Sequence, residues 1–148
     1  MRRFPDSMPW AMATLSCSDV EAFCRMGQAN FLARKDFPLL LIDKASTSMA
    51  DASGLHRFDW NVPKFGIGYW CRRSFRGRGL VTEAVHAIAA YAFDALDARR
   101  VEILTDDLNV ASWRVCERAD FELEGILRHE RTDPDDTLRN TRVYAKIR

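Results

Sequence analysis

Apolar and polar positions change period several times along the chain, and the changes mark out its elements. Residues 1–15 carry Pro5 and Pro9 and read as irregular. Ser18-Asp19-Val20-Glu21 has capping-box spacing and predicts a helix running to about Arg34. The apolar run from Phe37 to Ile42 predicts a buried strand, closed by a polar turn around Lys44 to Ser48. A second strand is predicted over Ser53 to Trp60, and Pro63 breaks the chain before a third, Phe65 to Cys71. Leu80 to Phe93 is apolar nearly all round, which predicts a helix buried against a sheet. Arg100 to Thr105 alternates as a strand does, and Asn109 to Ala119 suggests a short helix. Strand-like Phe121 to Arg131, a turn at Asp133-Pro134-Asp135-Asp136 and a last alternating strand, Arg142 to Ile147, complete the chain. The sum is one α+β domain over residues 1–148, built of antiparallel hairpins with helices between some strands.

Composition bounds this picture without changing it. The 148 residues suffice for one domain with a real core, and 47% hydrophobic with 29% charged residues is ordinary globular usage. A net charge of +1 gives no bulk attraction to nucleic acid or to anionic membrane, so any basic site must be local. Arg72, Arg73, Arg76 and Arg78 form such a cluster. Cys17, Cys24, Cys71 and Cys116 show no CxxC spacing, and His56, His86 and His129 are scattered, so neither a zinc set nor a disulfide framework is indicated. The start lacks the apolar run of a signal peptide, and no segment reaches membrane-spanning length; a soluble, cytoplasmic protein is expected.

Candidate chemistry concentrates in Arg76-Gly77-Arg78-Gly79-Leu80-Val81-Thr82-Glu83. Gly77 and Gly79 let the backbone turn tightly and bring its amides close to a ligand. The helix that follows presents unpaired N–H groups and a partial positive charge at its start. Together they suit a pyrophosphate or similar anion. The same run also reads as a solvated loop capping a helix. A nucleotide-binding P-loop is disfavoured, because no lysine-serine or lysine-threonine pair follows.

Several segments fall into one order: Ile67-Gly68-Tyr69-Trp70, the loop with Ala84 after it, Asn109-Val-Ala-Ser112, Glu124-Gly125-Ile-Leu-Arg128, and Arg142-Val-Tyr144-Ala145. From roughly Phe37 onward this resembles the GNAT superfamily of acyl-CoA-dependent N-acetyltransferases, and within it the branch that acetylates the N-termini of ribosomal proteins. The resemblance implies a mixed, mostly antiparallel sheet flanked by helices, and acetyl-CoA as co-substrate with no metal. It implies that Arg76, Gly77, Arg78, Gly79, Leu80, Val81 and Thr82 hold the coenzyme A pyrophosphate. The strand carrying Tyr69 and Trp70 would splay from the strand beginning at Arg100 and bind the pantetheine arm through its backbone. Asn109 would bind the pantetheine, and Ser112 would give a proton or hydrogen bond to the departing thiolate; both residue types are also ordinary helix caps. The wider superfamily often uses a tyrosine one turn later, where this chain has Cys116. A catalytic carboxylate is implied near Glu130, with His129, Arg131, Asp106 and Glu102 as competing positions. The acceptor would be a primary amine, at a protein N-terminus or on a small molecule.

The chain also departs from the pattern. The implied first strand and first helix are expected to be shortened or missing, with Met8-Pro9-Trp10 resembling the segment after that helix. The uncovered sheet edge would allow a homodimer as well as a monomer. Asp51, Asp120 and Asp136 stand where the family has glycine, and each is expected to strain the backbone if its φ is positive. Val81 replaces a smaller residue and could crowd the loop, and Gly66 replaces a glutamate. The second reading of the chain is therefore a catalytically weak or inactive acyl-CoA-binding module.

Overall fold

The computed structural model describes residues 16–148. Expectations for Pro5, Pro9, Met8-Pro9-Trp10 and a shortened start fall outside the described residues. The described chain begins with α1 (Cys17–Leu32), then β1 (Phe37–Asp43), β2 (Ser48–Asp59) and β3 (Lys64–Cys71). A 3₁₀ turn at Arg73–Phe75 leads through the Arg/Gly loop to α2 (Leu80–Ala95). β4 (Arg100–Asp106), α3 (Val110–Arg118), β5 (Glu122–Thr132) and β6 (Leu138–Ile147) follow.

The six strands form one sheet in the order β1-β2-β3-β4-β6-β5. All neighbours run antiparallel except β3 and β4, whose parallel connection carries α2 as its crossover. Leu55 faces Ile67 across β2 and β3, Phe65 faces Val101 across β3 and β4, and Ile103 faces Tyr144 across β4 and β6. These side chains are all buried in one core with Val85, Ile88, Ala89 and Ala92 of α2. The apolar face of α2 thus does what its composition predicts. On β1, Phe37 and Leu39 join this core, while Pro38 and Leu40 line a groove with Phe23, Gly27 and Phe31 of α1. Edge-on ring contacts join Phe58 to Phe37, Trp60 and Phe65 and stiffen the β2–β3 hairpin.

Three sequence expectations shift. The cap of α1 is Ser16, two residues before the expected Ser18: Asp19 N–H donates to Ser16 Oγ (3.2 Å) and Ser16 N–H to Asp19 Oδ2 (2.8 Å). A second Ser-x-x-acid pair simply lies within reach. β2 begins at Ser48 rather than Ser53: Asp51, expected at a glycine position, is wholly buried inside the strand and pairs with Leu41 and Cys71. β6 likewise begins four residues early, at Leu138. Of the three aspartates at expected glycine positions, Asp120 (φ 59°) and Asp136 (φ 64°) do occupy left-handed backbone. Asp51 does not; its burden is burial.

Candidate functional site

The Arg/Gly loop folds as its glycines require. Gly77 (φ 75°) and Gly79 (φ 76°) are both left-handed, and a Cβ at either would meet no atom within 4 Å. Glycine is therefore needed there for conformation rather than for space. Gly79 caps α2, and the first helical hydrogen bond runs from Glu83 N–H to Gly79 O (3.0 Å). The amides of Leu80, Val81 and Thr82 precede that bond and have no acceptor within the helix. They line the wall of a cleft of about 480 Å³ together with Arg76, Gly77 and Gly79. Val81 packs partly against the core while also lining the cleft. Arg78 does not line the cleft; its guanidinium pairs with Asp43 (3.2 Å) and lies over Phe75.

The cleft exists because two parallel strands part. β3 and β4 pair from Lys64 with Arg100 to Gly66 with Glu102, and the pairing ends there. Tyr69, Trp70 and Cys71 of β3 then form one side of the opening, and Asp106 at the end of β4 the other. Gly66, where the resemblance expects glutamate, is covered by Arg57: a Cβ there would lie 2.1 Å from the guanidinium.

α3 closes the cleft from below. Asn109 caps it, accepting from Ser112 N–H through Oδ1 (3.2 Å), so the cap role holds and the Nδ2 group is left for other work. Ser112 Oγ donates to Tyr69 Oη (3.1 Å), and Tyr69 Oη donates to the Ser112 carbonyl (2.8 Å). The Cys116 thiol lies 3.5 Å from the same phenol oxygen. Burial, aided by Cys116, pushes the Tyr69 phenol far above its usual range. Burial also pushes the thiols of Cys71 and Cys116 up to about 11, so neither is poised as a thiolate.

On the far rim, Asp106 Oδ1 accepts from Leu108 N–H (2.8 Å) and from Arg139 Nη2 (2.7 Å), and Arg139 reaches on to Asp133. Arg142 pairs with Asp107 (2.6 Å) and stacks over Trp113 at 4.5 Å. Glu130 lies on β5 outside the cleft lining, where it accepts from the Thr141 hydroxyl. Its competitor Glu102 is held by Arg100 (3.2 Å). Eleven expected residues thus meet at one opening: Tyr69, Trp70, Arg76, Gly77, Gly79, Leu80, Val81, Thr82, Asn109 and Ser112, with Asp106, a competing position for the carboxylate. Sequence reasoning missed Phe75, Leu108, Ala111 and Arg139 as lining residues. Arg139 is 33 positions from Asp106, and no local spacing announces that pair. Among the described residues no group of three or more His, Cys, Asp or Glu side chains is arranged to hold a metal, and no helix is long and apolar enough to cross a membrane.

Comparison with known proteins gives a consistent set of likenesses. Residues 1–122 match the family described as "Acetyltransferase (GNAT) domain". The chain is 42% identical over 62 residues to "Probable N-acetyltransferase YjcK" of Bacillus subtilis (strain 168), a match covering 42% of this chain and 34% of that protein. It is 37% identical over 81 residues to "Putative ribosomal N-acetyltransferase YdaF" of the same organism, covering 55% of this chain and 44% of that one. These matches span less than half the length of either relative. Among solved structures, the microcin C7 self-immunity acetyltransferase MccE, in complex with acetyl-CoA and AMP, superposes with a TM-score of 0.86 at 24% identity. That superposition covers 96% of this chain and 77% of the other, and shares the fold.

Proposed function

Because the chain belongs to the acetyltransferase (GNAT) domain family, we propose that it is an acetyl-CoA-dependent N-acetyltransferase acting on a primary amine. The observation that carries this reading is the meeting of the left-handed Gly77/Gly79 loop and the α2 amides with the cleft where β3 and β4 part. A pyrophosphate would sit on the amides of residues 76–82, where the helix dipole and unpaired N–H groups favour an anion. Asn109 Nδ2 and the parted end of β3 would hold the pantetheine arm. The β3 backbone would also polarise the thioester carbonyl, an oxyanion-hole role.

In the ternary complex a neutral amine attacks that carbonyl. A C–N bond forms, the C–S bond breaks, and the electron pair leaves with sulfur. Ser112, at the start of α3 in the cleft wall, would stabilise the departing thiolate with its hydroxyl hydrogen. The amine's surplus proton would pass to a carboxylate: Glu130 through an intervening water, since it lies outside the cleft lining, with Asp106 of the lining as the competing residue. The protonated Cys71 and Cys116 thiols fit direct transfer better than a covalent acetyl-cysteine. The relative named for ribosomal N-acetylation favours a protein N-terminus as acceptor, ahead of a small-molecule amine.

Acetyl-CoA should raise the thermal midpoint, because it binds the native state. Thiol release with a panel of peptides and amines should then identify the acceptor, and Ser112→Ala should lower turnover more than it weakens acetyl-CoA binding. No rise in midpoint would sink the cofactor assignment, and an unchanged turnover in Ser112→Ala would remove that residue from the mechanism. A second reading, a binding module without transfer, is favoured by the burial of Asp51 and the left-handed Asp120 and Asp136. It predicts a raised midpoint with no thiol release.

A further inference from the structure

The Ser112 hydroxyl is not loose in the cleft wall. Its hydrogen is directed to Tyr69 Oη (3.1 Å), and the phenol hydrogen is directed to the Ser112 carbonyl (2.8 Å), so the two residues close a two-bond ring. Cys116 completes the cluster: its thiol lies 3.5 Å from the phenol oxygen and 3.6 Å from the same Ser112 carbonyl. In this arrangement Ser112 presents oxygen lone pairs, not its hydrogen, to anything bound in the cleft. A thiolate needs the hydrogen. Turning it toward sulfur costs Ser112 its bond to the phenol, unless the phenol can turn too.

We propose that Tyr69 is a positioning residue for Ser112: its hydroxyl holds the serine while the cleft is at rest and becomes a donor to Ser112 Oγ when the serine turns its hydrogen to the departing thiolate. This rests on the role given to Ser112 above. The exchange needs only two hydroxyl rotations. The phenol hydrogen leaves the Ser112 carbonyl for Ser112 Oγ, and the Cys116 thiol, already 3.6 Å away, remains beside that carbonyl. No proton leaves the phenol at any point, which accords with its burial. Donation from Tyr69 also polarises the serine O–H bond, strengthening the hydrogen bond that Ser112 offers to sulfur. The ring of Tyr69 packs against the core, which fixes the oxygen over α3. Strand β3 therefore contributes a side chain, besides its backbone, to the leaving-group end of the site.

The test is a double-mutant cycle in the full chain, with thiol release from acetyl-CoA as the readout. Tyr69→Phe keeps the ring and removes only the hydroxyl. Turnover should fall about three- to tenfold, the worth of one hydrogen bond, with the KM for acetyl-CoA within about twofold. In the Ser112→Ala background the same change should cause no further loss. An equal loss in both backgrounds would show a packing role and overturn the proposal, as would an unchanged turnover in Tyr69→Phe alone. Unchanged turnover in Ser112→Ala overturns the serine's role first, and Tyr69's with it; no release from the unaltered protein overturns the enzyme reading itself. Retention of the acetyl-CoA midpoint shift in Tyr69→Phe checks that the cleft is intact, and its loss with an unchanged apo midpoint would make Tyr69 a binding residue instead.

Discussion

Among the described residues, Asp51 carries the largest conflict between local chemistry and burial. It is fully enclosed in β2 beside Cys71, and neither carboxylate oxygen has a hydrogen-bond partner. Burial pushes it up to about 7, against a smaller lowering from the nearby Ala52 and Trp70 amides and the Cys71 thiol. Its acid strength in the unfolded chain is the ordinary 3.8, so between those values the folded state holds a proton that the unfolded state has lost. Stability should therefore be greatest at low pH on this account and fall as pH rises to about 7, by as much as about 4 kcal/mol. Urea unfolding between pH 5 and 8 should show this decline, and Asp51→Asn should flatten it and be the more stable form at pH 8. Equal slopes in the two proteins would refute the assignment. Asp120 and Asp136 present a milder conflict, left-handed backbone on residues that tolerate it less well than glycine.

At the scale of elements, the start of α2 is where sequence and structure agree most closely. Two glycines in a short run before an apolar helix announce a tight turn, and the turn is made with left-handed φ values of 75° and 76°. Gly79→Ala should cost about 1 kcal/mol of stability through strain alone, since a methyl group there touches nothing. If the loop relaxes to escape that strain it tilts the amides, so acetyl-CoA affinity should fall further, on the order of tenfold. Calorimetric titration beside thermal unfolding separates the two effects, and an affinity unchanged from the parent would mean that the loop amides do not hold the ligand. The apolar pattern was enough to place α2, β3, β4 and α3: β4 alternates in burial, while β3 and α2 show as apolar runs. It missed the first five residues of β2, since a buried aspartate breaks the pattern that marks a strand. It chose the wrong cap for α1 because Ser16 and Ser18 both offer the right side chain with an acid three residues on.

For the whole molecule, the parting of β3 from β4 is the feature on which the proposed function turns. β1, β2 and β3 form one antiparallel unit, and β4, β6 and β5 form another; among the described residues they join in the sheet through three register pairs, Lys64–Arg100 to Gly66–Glu102. Acetyl-CoA lying in the opening would contact both units, through β3 and α2 on one side and α3 on the other. Amide hydrogen exchange should therefore slow on binding in residues 67–71 and in the first turns of α2 and α3, with the outer strands β1 and β5 unaffected. Uniform slowing, or none in residues 67–71, would contradict the placement. The sequence by itself determined the elements, the glycine-dependent loop and the family, because these rest on local backbone preference, hydrophobic period and the linear order of motifs. Only the tertiary structure decided that Tyr69 grips Ser112 across 43 positions, that Arg139 braces Asp106, and that Asp51 is buried. Those facts depend on which side chains a closed sheet brings together. Spacing along a strand cannot report them, because a hydroxyl or a carboxylate is compatible with either the surface or the core until its neighbours are fixed.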